Sequence, residues 1–96
     1  MTADFSSLYN QHEREVFAAM QDAAKDYPDI ALSNDLLCDV ACVALNRLPP
    51  RYIRHAVDYS FYLTERERRE MALAIDEAVR YAYGFVQARM ALKTRG

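Results

Sequence analysis

Arginines at positions 47, 51 and 54 fall four and three residues apart within the string LNRLPPRYIRH, residues 45–55. Tyr52 sits between the second and third, His55 closes the string, and no acid stands nearer than Asp39 and Asp58. A guanidinium offers paired N–H donors to phosphate oxygens or to the O6/N7 edge of guanine. The face of Tyr52 can stack on a base, as can those of Tyr59 and Tyr62 further along. A carboxylate such as Asp39 or Glu13 can accept from the N–H groups of a guanine. These residue types suit a nucleotide of compact shape. The competing reading is that arginines after a helix C-terminus favour the helix macrodipole and end in water.

Other chemistries find less support. Cys38 and Cys42 lie four apart in an apolar run, so they share one helix face and are poorly set for a disulfide. Reduced, buried cysteines in a cytosolic protein are expected. Neither His12 nor His55 has a sequence reason to stand beside them, and no G-x-S-x-G, H-E-x-x-H or glycine-rich phosphate loop occurs. With two glycines in 96 residues, a phosphate cradle of glycine backbone is nearly excluded. Two cysteines and two distant histidines make a poor zinc set. Neither an enzyme nor a metal site is expected, and no cofactor.

The balance of 12 basic against 14 acidic side chains gives a net charge of −2, without the broad basic face that general nucleic-acid binding needs. No run approaches the roughly 20 apolar residues of a membrane span. The opening MTADFSSLYNQHERE lacks a basic stretch followed by an apolar block and is not expected to act as a secretory signal.

The elements that must position these residues are mainly helical, since two glycines and three prolines leave few turns. One small domain of three to four helices over residues 1–96 is expected. A first helix is predicted from a cap at Ser6 or Ser7 to about Lys25, with Leu8, Val16, Phe17, Met20 and Ala24 on one face. Tyr27-Pro28-Asp29 ends it. A second helix is predicted over about Asn34–Asn46, so apolar that it should be the central element, buried on most sides. Asp39 inside it needs a cation, a ligand or a wet edge, because an unpaired buried charge costs several kcal/mol. Pro49-Pro50 then stops any helix and stiffens the corner. Val57–Leu63 alternates apolar and polar for a few residues, which suits a strand or a helical turn.

Thr64 and Glu67 form a capping box that opens a last helix running to about Lys93. Met71, Ile75, Ala78, Val79, Ala82, Val86 and Met90 make its apolar stripe. At 1.5 Å per residue it would be about 45 Å long, in a chain expected to be about 35 Å across from a radius of gyration of about 13 Å. It must therefore bend or break near Gly84, or reach past its own domain. An overhanging apolar helix on a thin core suggests a dimer. Thr64–Glu70, TERERRE, reads as a solvated face laced with ion pairs.

The stretch Asp39–Ile53, D-V-A-C-V-A-L-N-R-L-P-P-R-Y-I, resembles the signature of the late competence development ComFB family, where a helix opened by Asp ends in A-L-N-x-L-P-P-x-Y. Asn10-Gln11-His12-Glu13, followed by Val16, is similar to the family's N-x-x-E-x-x-V pattern, and the long last helix agrees in length and apolar spacing. Many members carry C-x-C-x-x-C before the Asp. Here those positions hold Ala31, Ser33 and Leu36, so zinc is not carried over.

The resemblance implies a small helical homodimer in the cytoplasm that binds cyclic di-GMP and regulates competence, type IV pili or motility through a regulatory partner. Together with the basic corner read from the residues, it leads to expected ligand contacts from Arg47, Arg51 and, as an assistant, Arg54. Tyr52 would stack on a base, Asp39 would accept from a guanine edge, and Asn46, Pro49 and Pro50 would hold the corner. A rival from another class is a ligand-free adaptor that docks on a regulatory or pilus protein through the Tyr81–Phe85 patch.

Overall fold

Helix α1 spans Gln11–Ala23 and begins at Asn10, which stays extended (φ −85°, ψ 113°) while its side chain accepts the backbone N–H of His12 at 3.2 Å. The coordinates come from a computed structural model that describes residues 3–55, 57 and 63–95. A serine cap at residue 6 or 7 is not what starts the helix. Tyr9–Asn10 instead forms a short strand, β1, which pairs antiparallel with β2, Tyr52–Ile53, in the register Tyr9↔Ile53 and Asn10↔Tyr52. That pairing holds residue 9 in an extended conformation, so the helix starts one residue beyond Asn10. Leu8 and Phe17 accordingly fall outside the core, and His12, Val16 and Met20 take the buried face.

A 3-10 turn, Ala24–Asp26, follows α1. Pro28 then opens a four-residue helix, α2 (Pro28–Ala31), at the first helical position where proline has no N–H to lose. Its Ile30 is fully buried. Helix α3, Asn34–Arg47, is capped by Ser33, whose hydroxyl accepts the Leu36 N–H at 3.3 Å. Helix α4 runs from Glu65 to Arg95. Thr64 Oγ1 accepts the Glu67 N–H at 3.1 Å, and the Glu67 carboxylate takes the Thr64 hydroxyl at 3.2 Å. The first turns of α4 are exposed, with Arg66 and Glu70 paired at 3.0 Å as the alternating charges suggested.

The core lies where α1 and α3 pack on one face of α4, joined by Val16, Met20, Val40, Ala44, Ile75, Ala78, Val79 and Val86. Tyr83, absent from the expected stripe, is its largest fully buried side chain. Its ring stacks on Tyr27 at 4.5 Å, and its hydroxyl donates to the Met20 carbonyl at 2.9 Å. That oxygen is one of the last four carbonyls of α1, so α4 satisfies part of the end of another helix.

The expectation for α3 changes, and of the two alternatives for α4 the structure takes the second. α3 is not buried on most sides: only Val40 and Ala44 are fully covered, and Cys38 and Cys42 are free and exposed. Its neighbours α1 and α4 cover one side, and four-residue spacing puts both thiols on the other. α4 passes through Gly84 without a break, and at about 46 Å it outruns the core. The radius of gyration is 15.7 Å, with extents of 51 × 40 × 19 Å. A Cβ at Gly84 would meet nothing within 4 Å among the described residues, so no other described helix approaches there. The alternation over 57–63 falls largely on residues outside those described. No described helix is long and apolar enough to cross a membrane.

Candidate ligand-binding site

Leu48 ends α3 because it precedes a proline: the Pro49 ring excludes the helical region for it, and it adopts φ −96°, ψ 140°. The side chain of Leu48 is buried and anchors the exit. Pro49 and Pro50 then carry the chain to Arg51, whose backbone is pinned on both sides. Its N–H donates to Asn10 Oδ1 at 3.0 Å, and its carbonyl accepts from Gln11 N at 2.8 Å. Tyr52 and Ile53 continue into the strand pair with Tyr9 and Asn10. The corner is thus tied to the first turn of α1, with Arg51, Tyr52 and Arg54 exposed.

Arg47 takes another direction. Its Nη2 meets Glu77 Oε1 at 2.9 Å, and the guanidinium lies 3.9 Å from the centroid of the Tyr81 ring. The hydrogen bond to Glu77, more than any other influence, raises its pKa beyond the ordinary arginine value. The side chains of this pair are 41% and 62% exposed, so solvent screens the attraction. Arg47 therefore bridges the end of α3 to α4, while Arg51 belongs to the strand corner. Asp39 and Asn46 share a face of α3, seven residues and about 10 Å apart, both exposed. The carboxylate of Asp39 has the wet edge rather than burial. Pro49 is also exposed, and Tyr59 and Tyr62 lie outside the described residues.

Sequence reasoning gave Glu77 no role, placed Tyr81 only in the rival docking patch and named His12 only as a poor catalytic or zinc candidate. Glu77 and Tyr81 hold Arg47 across separations of thirty and thirty-four residues, and their only local signal was an acid and a ring four apart on one helix. His12 is 4% exposed with neither ring nitrogen hydrogen-bonded. Gln11 Oε1 and Glu15 Oε2 beside it are also buried without partners. The first turn and a half of α1 thus concentrates polar atoms that native interiors normally pair.

A cavity of about 450 Å³ lies between α1 and the first turns of α4, lined by Glu15, Ala18, Asp22, Met71 and Ile75 among others. None of the candidate ligand residues lines it. Among the described residues no group of three or more His, Cys, Asp and Glu side chains could hold a metal ion.

Fold and corner define a class: small, mainly helical proteins with a proline-stiffened arginine corner and a last helix longer than the core it covers. Residues 9–90 match the model of the family described as late competence development protein ComFB, and the chain belongs to that family. No curated protein and no solved structure matches it.

Proposed function

We propose that the chain is a cytosolic cyclic di-GMP receptor that works as a homodimer and regulates competence, type IV pili or motility through a protein partner. Membership of the ComFB family supports the link to competence. The observation that carries the ligand reading is the backbone clamp on Arg51, at 3.0 Å from Asn10 and 2.8 Å from Gln11. A corner ordered before the ligand arrives lowers the conformational cost of binding.

In this reading Arg51 and Arg47 pair with phosphate or with guanine O6/N7, Arg54 assists, and Tyr52 stacks on a base. Asp39 accepts from a guanine edge, and Asn46, Pro49 and Pro50 hold the end of α3 in place. Because Arg47 already contacts Glu77, an arriving phosphate shares or displaces that carboxylate. A two-fold pair would present the same corner twice to a ligand that is itself two-fold. The protein acts by binding rather than turnover.

Isothermal calorimetry with cyclic di-GMP, cyclic di-AMP and GTP tests this. Saturable heat with cyclic di-GMP alone supports the receptor, and no heat with any of the three refutes it. Arg51→Ala lowers affinity more than tenfold, about 1.4 kcal/mol, where the guanidinium makes a charge-assisted contact. An unchanged affinity returns Arg51 to the solvated-turn reading.

A further inference from the structure

Four exposed residues of α4 recur at every fourth position: Glu77, Tyr81, Phe85 and Arg89. Residues four apart form one continuous ridge on a helix surface. Tyr81 and Phe85 are 44% and 41% exposed, with ring centroids 6.2 Å apart, and the Arg89 guanidinium stands 6.0 Å from the Phe85 ring. Along the chain the ridge reads acid, ring, ring, base. Reversed, it meets itself in complement: Glu77 beside Arg89 of a second copy, Tyr81 beside its Phe85. A parallel arrangement would instead set each charge against its like.

A second ridge, Arg80, Gly84, Ala88 and Leu92, runs alongside, also exposed, and its two small middle residues leave a dip in it. Glycine in a helix interior is destabilising relative to alanine. Among the described residues nothing in its own chain requires it at position 84, since an added Cβ would meet no atom of theirs within 4 Å. The missing side chain leaves room there for a surface from outside the chain.

We propose that this face of α4 is the interface between two copies of the chain, packed antiparallel about a two-fold axis beside Gly84, with the Glu77–Arg89 ridge of each copy in the dip of the other. Ridges of this class cross at about −50°. An isologous interface needs a surface complementary to itself, and the order of charges supplies that. Glu77 then lies between Arg47 of its own chain and Arg89 of the second copy, and its two oxygens can accept from both. The inference rests on the dimer part of the proposed function and needs no ligand.

Sedimentation equilibrium of the whole chain tests it. The wild type sediments as a dimer. Arg89→Glu sets acid against acid at Glu77, and Glu77→Arg sets base against base at Arg89, so each variant alone dimerises at least tenfold more weakly. In an equimolar mixture both contacts become acid to base, and dimers return. Gly84→Gln fills the dip and gives monomer, with circular dichroism showing unchanged or greater helix content. Variants that pair as tightly as the wild type, or a mixture of folded variants that stays monomeric, place the interface elsewhere and overturn the proposal. If circular dichroism finds a charge variant unfolded, Gly84→Gln decides, and a dimer there sinks the idea. A monomeric wild type overturns both this interface and the dimer. Calorimetry reports ligand binding separately, so either result stands without the other.

Discussion

Asn10 and Arg51, forty-one residues apart, meet through a 3.0 Å hydrogen bond from the Arg51 backbone N–H to the Asn10 side-chain oxygen. The same oxygen accepts the His12 N–H and so caps α1. One amide therefore starts a helix and clamps the corner that follows another. Asn10→Ala removes both bonds and should cost about 1–2 kcal/mol in urea denaturation. It should also speed hydrogen exchange at the Arg51 amide. Exchange at the wild-type rate would show that the proline pair alone fixes the corner.

His12 offers a test in the opposite direction. A buried ring with two unpaired nitrogens costs stability, and an unsatisfied group is worth about 1–3 kcal/mol. His12→Leu, close in volume, should raise stability by about 1 kcal/mol or more. A lower melting temperature would mean that the imidazole makes a polar contact in solution.

Tyr83 ties α4 to the end of α1 and should respond to both substitution and pH. Tyr83→Phe keeps the stacking on Tyr27 but loses the bond to the Met20 carbonyl, at a cost of about 1 kcal/mol. Burial, followed by the neighbouring Tyr27, pushes the Tyr83 pKa above its ordinary value. The folded protein therefore holds this proton more tightly than the unfolded chain. Its stabilising effect is complete below about pH 10 and is lost as the pH rises through the higher folded value. Denaturation midpoints should fall in that alkaline window, and fall less for Tyr83→Phe. Equal slopes for the two proteins would contradict the linkage.

The thiols give the simplest measurement. Cys38 and Cys42 are both exposed and free, so a thiol reagent should titrate two groups in the native protein without denaturant. Labelling that waits for unfolding would place them under cover in solution, which a second copy over that side of α3 would provide.

Much of the fold was legible because its signals are local. Ser33 and the proline after Leu48 bound α3 within a residue, and Thr64 with Glu67 opens α4, since caps and proline sterics act over three or four positions. The stripe from Ile75 to Val86 follows from a 3.6-residue period that any chain segment carries in itself. Other features answered to the tertiary structure alone. Which side of α3 is covered, and hence that both cysteines face outward, depends on where α1 and α4 dock. A nearly uniform apolar helix does not encode that choice. The draw of Arg47 toward Glu77 and the clamp of Asn10 on Arg51 join residues thirty and forty-one apart. Such pairings form only when packing has brought distant segments together, so the arginines could be named from the sequence but not their directions.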